Sequence, residues 1–145
     1  MKYEVLHRLI LGLSGVCAVA VGAAILVDPV SFHAENGIVI GRDASSLSEA
    51  RAPGGVRLVR GAVMLAGVFR RGLTAAVTGI AALVYLAYGA SRLIGMAMDG
   101  MAMDGMPASG LVTATVGEIV LGGANLVVVF SRGLRLPSVS GLPVA

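Results

Sequence analysis

Cysteine is almost absent. Cys17 is the single one in the chain, which excludes an internal disulfide and any cysteine-based metal site. Ser14-Gly15-Val16 is also the wrong lead-in for a lipid anchor at that position. Tryptophan is missing, and charge is scarce: Asp, Glu, Lys and Arg make up 13% of the residues, where a soluble domain carries about 25%. There is no HExxH, no Ser–His–Asp arrangement and no re-entrant transporter signature. The glycines scatter through apolar runs and form no strand–Gly-loop–helix unit, which excludes a nucleotide site. His7 and His33 have no companion at ligand spacing and are expected as surface or interface residues on opposite sides of a membrane. These absences predict no resident cofactor and lean away from an enzyme.

What is present is apolar. The chain is 57% hydrophobic with 21 glycines and a mean hydropathy of +0.90. Glycine is commoner in membrane helices than in soluble ones. The net charge of +3 does not point to nucleic acid, because the basic residues sit beside apolar runs and not on a soluble face. The expected fold class is all-α: one membrane domain, residues 1–145, forming a bundle of four transmembrane helices at about 6–27, 54–70, 72–96 and 109–130. Residues 28–53 are expected as an outer loop, because Asp28-Pro29 stops the first helix; within it Ser46-Leu-Ser-Glu49 matches a capping box that would open a short helix, kinked or interrupted at Pro53-Gly54-Gly55. A basic head followed by Ala18-Val19-Ala20 also mimics a secretory signal peptide, but the first segment reads as a retained span.

Orientation follows from the distribution of lysine and arginine. With both termini cytoplasmic, Lys2, Arg8, Arg70, Arg71, Arg132 and Arg135 lie inside, against Glu4 alone. The outer loops carry Arg42 and Arg51 against Asp28, Glu35, Asp43, Glu49, Asp99 and Asp104. The expected partners are the lipid bilayer first and then a homo-oligomer or larger membrane complex.

A weak repeat runs through the chain. A shift of 61 aligns 55–73 with 116–134, matching Gly61 to Gly122 and Phe69 to Phe130. It reads as duplication of one helical hairpin, in parallel orientation. Arg57 then aligns with Glu118.

The candidate site lies where charge enters the apolar segments. Glu49-Ala-Arg-Ala-Pro-Gly-Gly-Val-Arg-Leu-Val-Arg-Gly61 sets a carboxylate, a Pro-Gly-Gly break and three arginines at a helix mouth. Arg60, Arg92 and Glu118 count about 9, 6 and 13 Å deep from the outer ends of their helices. Arg57, Arg60, Gly61 and Met64 share one helix face, as do Tyr85, Tyr88, Gly89 and Arg92, and likewise Glu118, Gly122 and Asn125. The expectation is one polar cluster of Arg57, Arg60 and Arg92 around Glu118, with Tyr85, Tyr88 and Asn125 as hydrogen-bond partners and Glu49 with Arg51 as a lid. Ionisable groups inside spans usually face the bundle interior. Such a cluster fits a structural or accessory membrane subunit that uses it to fix helix pairing. The alternative is a binder of an anionic lipid or quinone-like ligand, since three arginines meet one carboxylate. Proton handling at Glu118 is a third reading. The Met96–Met106 tandem repeat holds soft thioethers that suit Cu(I), but reads more simply as a slipped-repeat loop.

Glu49, Arg51, Ala52, Gly54 and Gly55, then Arg60-Gly61, Gly89-x-x-Arg92, Gly117-Glu118 and Asn125, resemble a bacterial family of small four-helix membrane proteins of unknown function. The resemblance covers roughly Leu6 to Phe130. That family is loosely similar to the DoxX-like membrane proteins, some of which are linked to quinone-coupled or redox processes. The likeness implies a quinone or lipid pocket and assigns no activity.

Overall fold

The computed structural model describes residues 2–70, 72–98 and 109–131. The described chain is all-helical: α1 (Lys2–Val27), α2 (Pro29–Ala34), α3 (Ala44–Phe69), α4 (Thr74–Met98) and α5 (Ser109–Ser131). Four of these, α1, α3, α4 and α5, are long and apolar enough to cross a membrane. Their outward faces carry Leu9, Leu13, Val59, Leu83, Val120 and Val127 in the open. Such faces suit lipid, not water.

The connection after α1 is more ordered than a loop. Asp28 caps α2 by accepting the Ser31 amide at 3.1 Å, and Pro29 fills the first helical position, where its missing N–H is not needed. Gly37, with φ 73°, closes the other end. The amides of Gly37 and Ile38 donate back to the carbonyls of Ala34 and His33, both at 2.9 Å, in a Schellman pattern. Ile38–Ile40 form no strand; none occurs among the described residues.

Helix α3 departs most from expectation. It starts ten residues before Gly54, is capped by Asp43, and runs through Pro53 without interruption. An interior proline removes one hydrogen bond and crowds the preceding turn. Contacts to α1 on both sides hold the helix through it. The Arg51 Nε–H donates to the Leu26 carbonyl at the end of α1, at 3.1 Å, and Gly54 lies directly against Ile25. The first turns of α3 therefore stand at and beyond the end of α1. Gly54, not Ala44, marks the level of Ile25, so Arg60 still lies about 9 Å further along the helix.

The Asp43 cap responds to pH. Its carboxylate accepts the Ser46 hydroxyl at 2.6 Å and the Ser46 amide at 3.0 Å. These bonds, the hydroxyl first, hold it below the ordinary carboxylate range. A lowered folded pKa means the cap's contribution is complete above the unfolded value near 3.9 and is lost as pH falls through the folded one. Amide exchange at Ser46 and Leu47 is expected to speed up, relative to intrinsic rates, on acidification below about pH 4. Asp43→Asn, which caps without titrating, should show no such step.

The helices associate in two antiparallel pairs, α1 with α3 and α4 with α5, and the pairs meet over a much thinner contact. Glycines set the closeness within each pair. Gly22 of α1 meets the backbone of Gly54 and Leu58, and Gly61 of α3 meets that of Gly15 and Val19. In the second pair Gly122 faces Leu86 and Gly89 faces Ile119. Gly61 and Gly122, superposed by the 61-residue shift, thus occupy helix–helix contacts in both hairpins. Leu11, Met64, Val77, Ala81 and Tyr85 form the buried core between the pairs. The Thr74 hydroxyl donates to the Gly67 carbonyl at 2.8 Å and fixes the turn from α3 to α4.

Candidate functional site

Beside that core, toward the α2 end of the bundle, the two pairs leave a cavity of about 370 Å³. Its walls are mainly apolar, with Val21 from α1, Phe32 from α2 and Leu121 from α5 among them. Arg57, Arg60, Arg92 and Glu118 also line it. The i, i+3 spacing of Arg57 and Arg60 on α3 meets the same spacing of Tyr85 and Tyr88 on α4. The Arg57 guanidinium lies 4.6 Å from the Tyr88 ring centre. That of Arg60 lies 4.8 Å from Tyr85 and 5.3 Å from Tyr88. Each such contact contributes roughly 0.5–2 kcal/mol, more where water is excluded.

Arg92 is held differently. Its Nε–H donates to Glu118 Oε2 at 2.9 Å across the α4–α5 contact. Both side chains are half-buried, 27% and 14% exposed. Among the described residues, Arg57 and Arg60 have no carboxylate at ion-pair distance. The Arg60 Nε is buried and makes no hydrogen bond there. An unpaired polar atom in such a place costs about 1–3 kcal/mol, and more when it belongs to a charged group.

The floor is a neutral polar node that joins the hairpins. The Tyr85 hydroxyl donates to the Ser14 carbonyl at 2.6 Å. The Asn125 side-chain amide donates to the Ser14 hydroxyl at 2.7 Å and to the Leu121 carbonyl at 2.8 Å. Asn125 therefore serves Ser14 and its own helix, not the arginines it was expected to join. The two tyrosines present their ring faces to the arginines.

The expected lid is elsewhere. Glu49 is exposed on α3, and Arg51 is engaged with Leu26 at the end of α1. Phe32 and Asn36 line the cavity in their place, with the Asn36 amide donating to the Phe32 carbonyl at 2.9 Å. Asp28-Pro29 followed by Gly37 was the signal for this short helix, as a cap, a first-turn proline and a terminal glycine. Ser14 and Cys17 were also missed as site residues. Both sit in an uninterrupted apolar run that gives small polar groups no distinguishing pattern.

His7 is buried, at 5% exposure, and not a surface residue. Its Nε2 lies 3.5 Å from the Ser131 hydroxyl at the opposite end of the bundle from α2. His33 is half-buried. It uses Nδ1–H to donate to the Pro29 carbonyl at 2.7 Å, and a carbonyl can only accept, so Nδ1 carries the proton. No group of three or more His, Cys, Asp or Glu among the described residues could hold a metal. Met96 and Met98 end α4, and the rest of the methionine repeat lies outside the described residues.

Residues 6–129 match a family model described as "Domain of unknown function (DUF4345)". No curated protein and no solved structure matches the chain. A match over that length means that the chain belongs to this family.

Proposed function

Membership of a family without an assigned activity leaves the cavity as the guide, and we propose that this protein binds an anionic membrane amphiphile between its two hairpins. In this reading it is a multi-pass protein of the bacterial inner membrane with both termini cytoplasmic, and the cavity lies in the outer half of the bilayer. The observation that carries the proposal is the unbalanced charge: Arg57 and Arg60 line an apolar-walled cavity without a carboxylate of their own among the described residues. Guanidinium forks match the paired oxygens of phosphate and carboxylate. Apolar walls around them suit the body of a lipid or a quinone-like molecule.

The test is mass spectrometry of what co-purifies in mild detergent. Wild type should retain an anionic amphiphile that Arg57→Gln/Arg60→Gln loses by about tenfold or more, the equivalent of at least 1.4 kcal/mol. Arg57→Lys/Arg60→Lys, which keeps the charge, should retain part of it. Equal retention by wild type and the double glutamine variant would sink the proposal.

A structural or accessory role is the second reading. Two observations favour it. Tyr85 and Asn125 tie the second hairpin to Ser14 of the first. Gly55 and Gly79 have no neighbour within 4 Å of where a side chain would start, and small residues on open faces suit close approach of another membrane helix. Under that reading a second copy or a larger complex would cover those faces.

A further inference from the structure

The charge of the cavity says more than its sign. Three guanidiniums line it against the one carboxylate of Glu118. The Arg92–Glu118 pair is internally neutral, which leaves a surplus of two positive charges on Arg57 and Arg60. Charge left uncompensated among apolar walls is costly, so the occupant that fits best cancels it in full. A neutral ring cancels none of it. A phosphodiester headgroup or a single carboxylate cancels half. A phosphomonoester carries about −1.5 to −2 near neutral pH and brings three terminal oxygens.

Geometry points the same way. Arg57 and Arg60 are one turn apart on α3, with side chains rooted roughly 5–6 Å from each other. The Tyr85 and Tyr88 rings, 4.6–5.3 Å from the guanidinium carbons, hold both cations at the cavity wall. One phosphate can present oxygens to both guanidiniums that line the cavity. A lone carboxylate has two oxygens and is filled by one fork.

We infer that the group held between the hairpins is a phosphomonoester dianion, matched to the surplus of two charges left once Glu118 has neutralised Arg92. This rests on the proposed binding of an anionic ligand and narrows it to one headgroup chemistry. The phosphomonoester can be borne by a lipid or be free in solution, and the experiment separates the two.

The full-length protein, delipidated in detergent, is titrated calorimetrically with dioleoyl phosphatidate, dioleoyl phosphatidylglycerol and inorganic phosphate at pH 8 and pH 5.5. Phosphatidate should bind about tenfold or more tightly than phosphatidylglycerol at pH 8, a difference of about 1.4 kcal/mol. That advantage should shrink to a few-fold at pH 5.5, as the phosphate regains its second proton near pH 6. The titratable groups around the site are Cys17 on α1, Arg57 and Arg60 on α3, Tyr85, Tyr88 and Arg92 on α4 and Glu118 on α5, while Phe32 of α2 and Asn36 just after it add none. Glu118→Gln is therefore the control: its pH step should persist, because the ligand titrates, and its phosphatidylglycerol affinity should rise as the surplus grows to three.

Equal binding of both lipids at pH 8, weakened alike by Arg57→Gln/Arg60→Gln, would overturn the dianion preference and leave the anionic-amphiphile site standing. Loss of the pH step in Glu118→Gln would likewise overturn it, by assigning the step to the protein. Phosphate binding as tightly as phosphatidate would uphold the monoester and overturn the amphiphile. Failure of all three ligands to bind would overturn both.

Discussion

Gly22→Val forces α1 away from α3 and lowers the thermal midpoint of the detergent-solubilised protein by about 10 °C, or prevents its recovery in folded form. The reason is where a side chain would have to start. A Cβ on Gly22 would lie 2.5 Å from the Leu58 amide nitrogen, 2.7 Å from the Gly54 carbonyl oxygen and 2.9 Å from the Leu58 Cα. These are backbone atoms, and they cannot rotate away. Gly61 faces the same restriction on the other helix, with the Gly15 carbonyl oxygen and the Val19 nitrogen both at 2.7 Å. Overpacking a soluble core costs roughly 1–3 kcal/mol, and a clash that moves whole helices belongs at or above the top of that range. Gly79→Ala is the matched control. Nothing lies within 4 Å of its Cβ position, and alanine is the better helix former by about 1 kcal/mol. A thermal-aggregation scan should leave Gly79→Ala at or above wild type. Equal midpoints for Gly22→Val and wild type would mean that α1 and α3 do not pack this closely.

Glu118→Leu destabilises the bundle by about 1–3 kcal/mol, and adding Arg92→Met recovers most of that loss. Removing one partner of a fully buried ion pair costs about 3–5 kcal/mol, because the other charge is left uncompensated. Here the two side chains are 27% and 14% exposed, so solvent screening reduces the figure. Arg57 and Arg60 line the same cavity as Arg92, so the single variant also adds like-charge repulsion. In Arg92→Met/Glu118→Leu both charges leave together, and two apolar side chains fill the α4–α5 contact. Unfolding titrations in mixed micelles measure all four corners of the cycle. A double variant no more stable than Glu118→Leu alone would show that the missing charge balance is not what weakens the protein.

The apolar segments were legible because a helix that must satisfy its own backbone in lipid leaves a long, nearly charge-free stretch. The helical faces were legible for a similar reason. Arg57 and Arg60 at i, i+3, opposite Tyr85 and Tyr88 at i, i+3, needed only the helical period. Partner choice was harder. Arg92 met Glu118, but Asn125 turned to Ser14, because a seven-residue step along α5 carries it past the charged layer to the floor. Pro53 misled for a physical reason. Local preference opposes a helix there, and the Arg51 and Gly54 contacts to α1 that override it are tertiary. The lid residues followed from that error: once α3 is taken to start at Gly54, Glu49 and Arg51 become loop residues free to fold inward, whereas on a continuous helix their directions are set. His7 was read as a surface or interface residue because it has no companion at ligand spacing, yet α1 carries it into the bundle beside Ser131.

The two hairpins are alike in build, each closed by a glycine at the same register, yet their aligned positions Arg57 and Glu118 line the cavity with opposite charge. Two separate copies of one hairpin could not achieve this. Related by a twofold axis, they would set arginine against arginine or carboxylate against carboxylate across the seam. Joining both halves in one chain frees the two positions to differ. The seam then carries a permanent electrical polarity from the first half to the second, and each half can be altered without altering its twin.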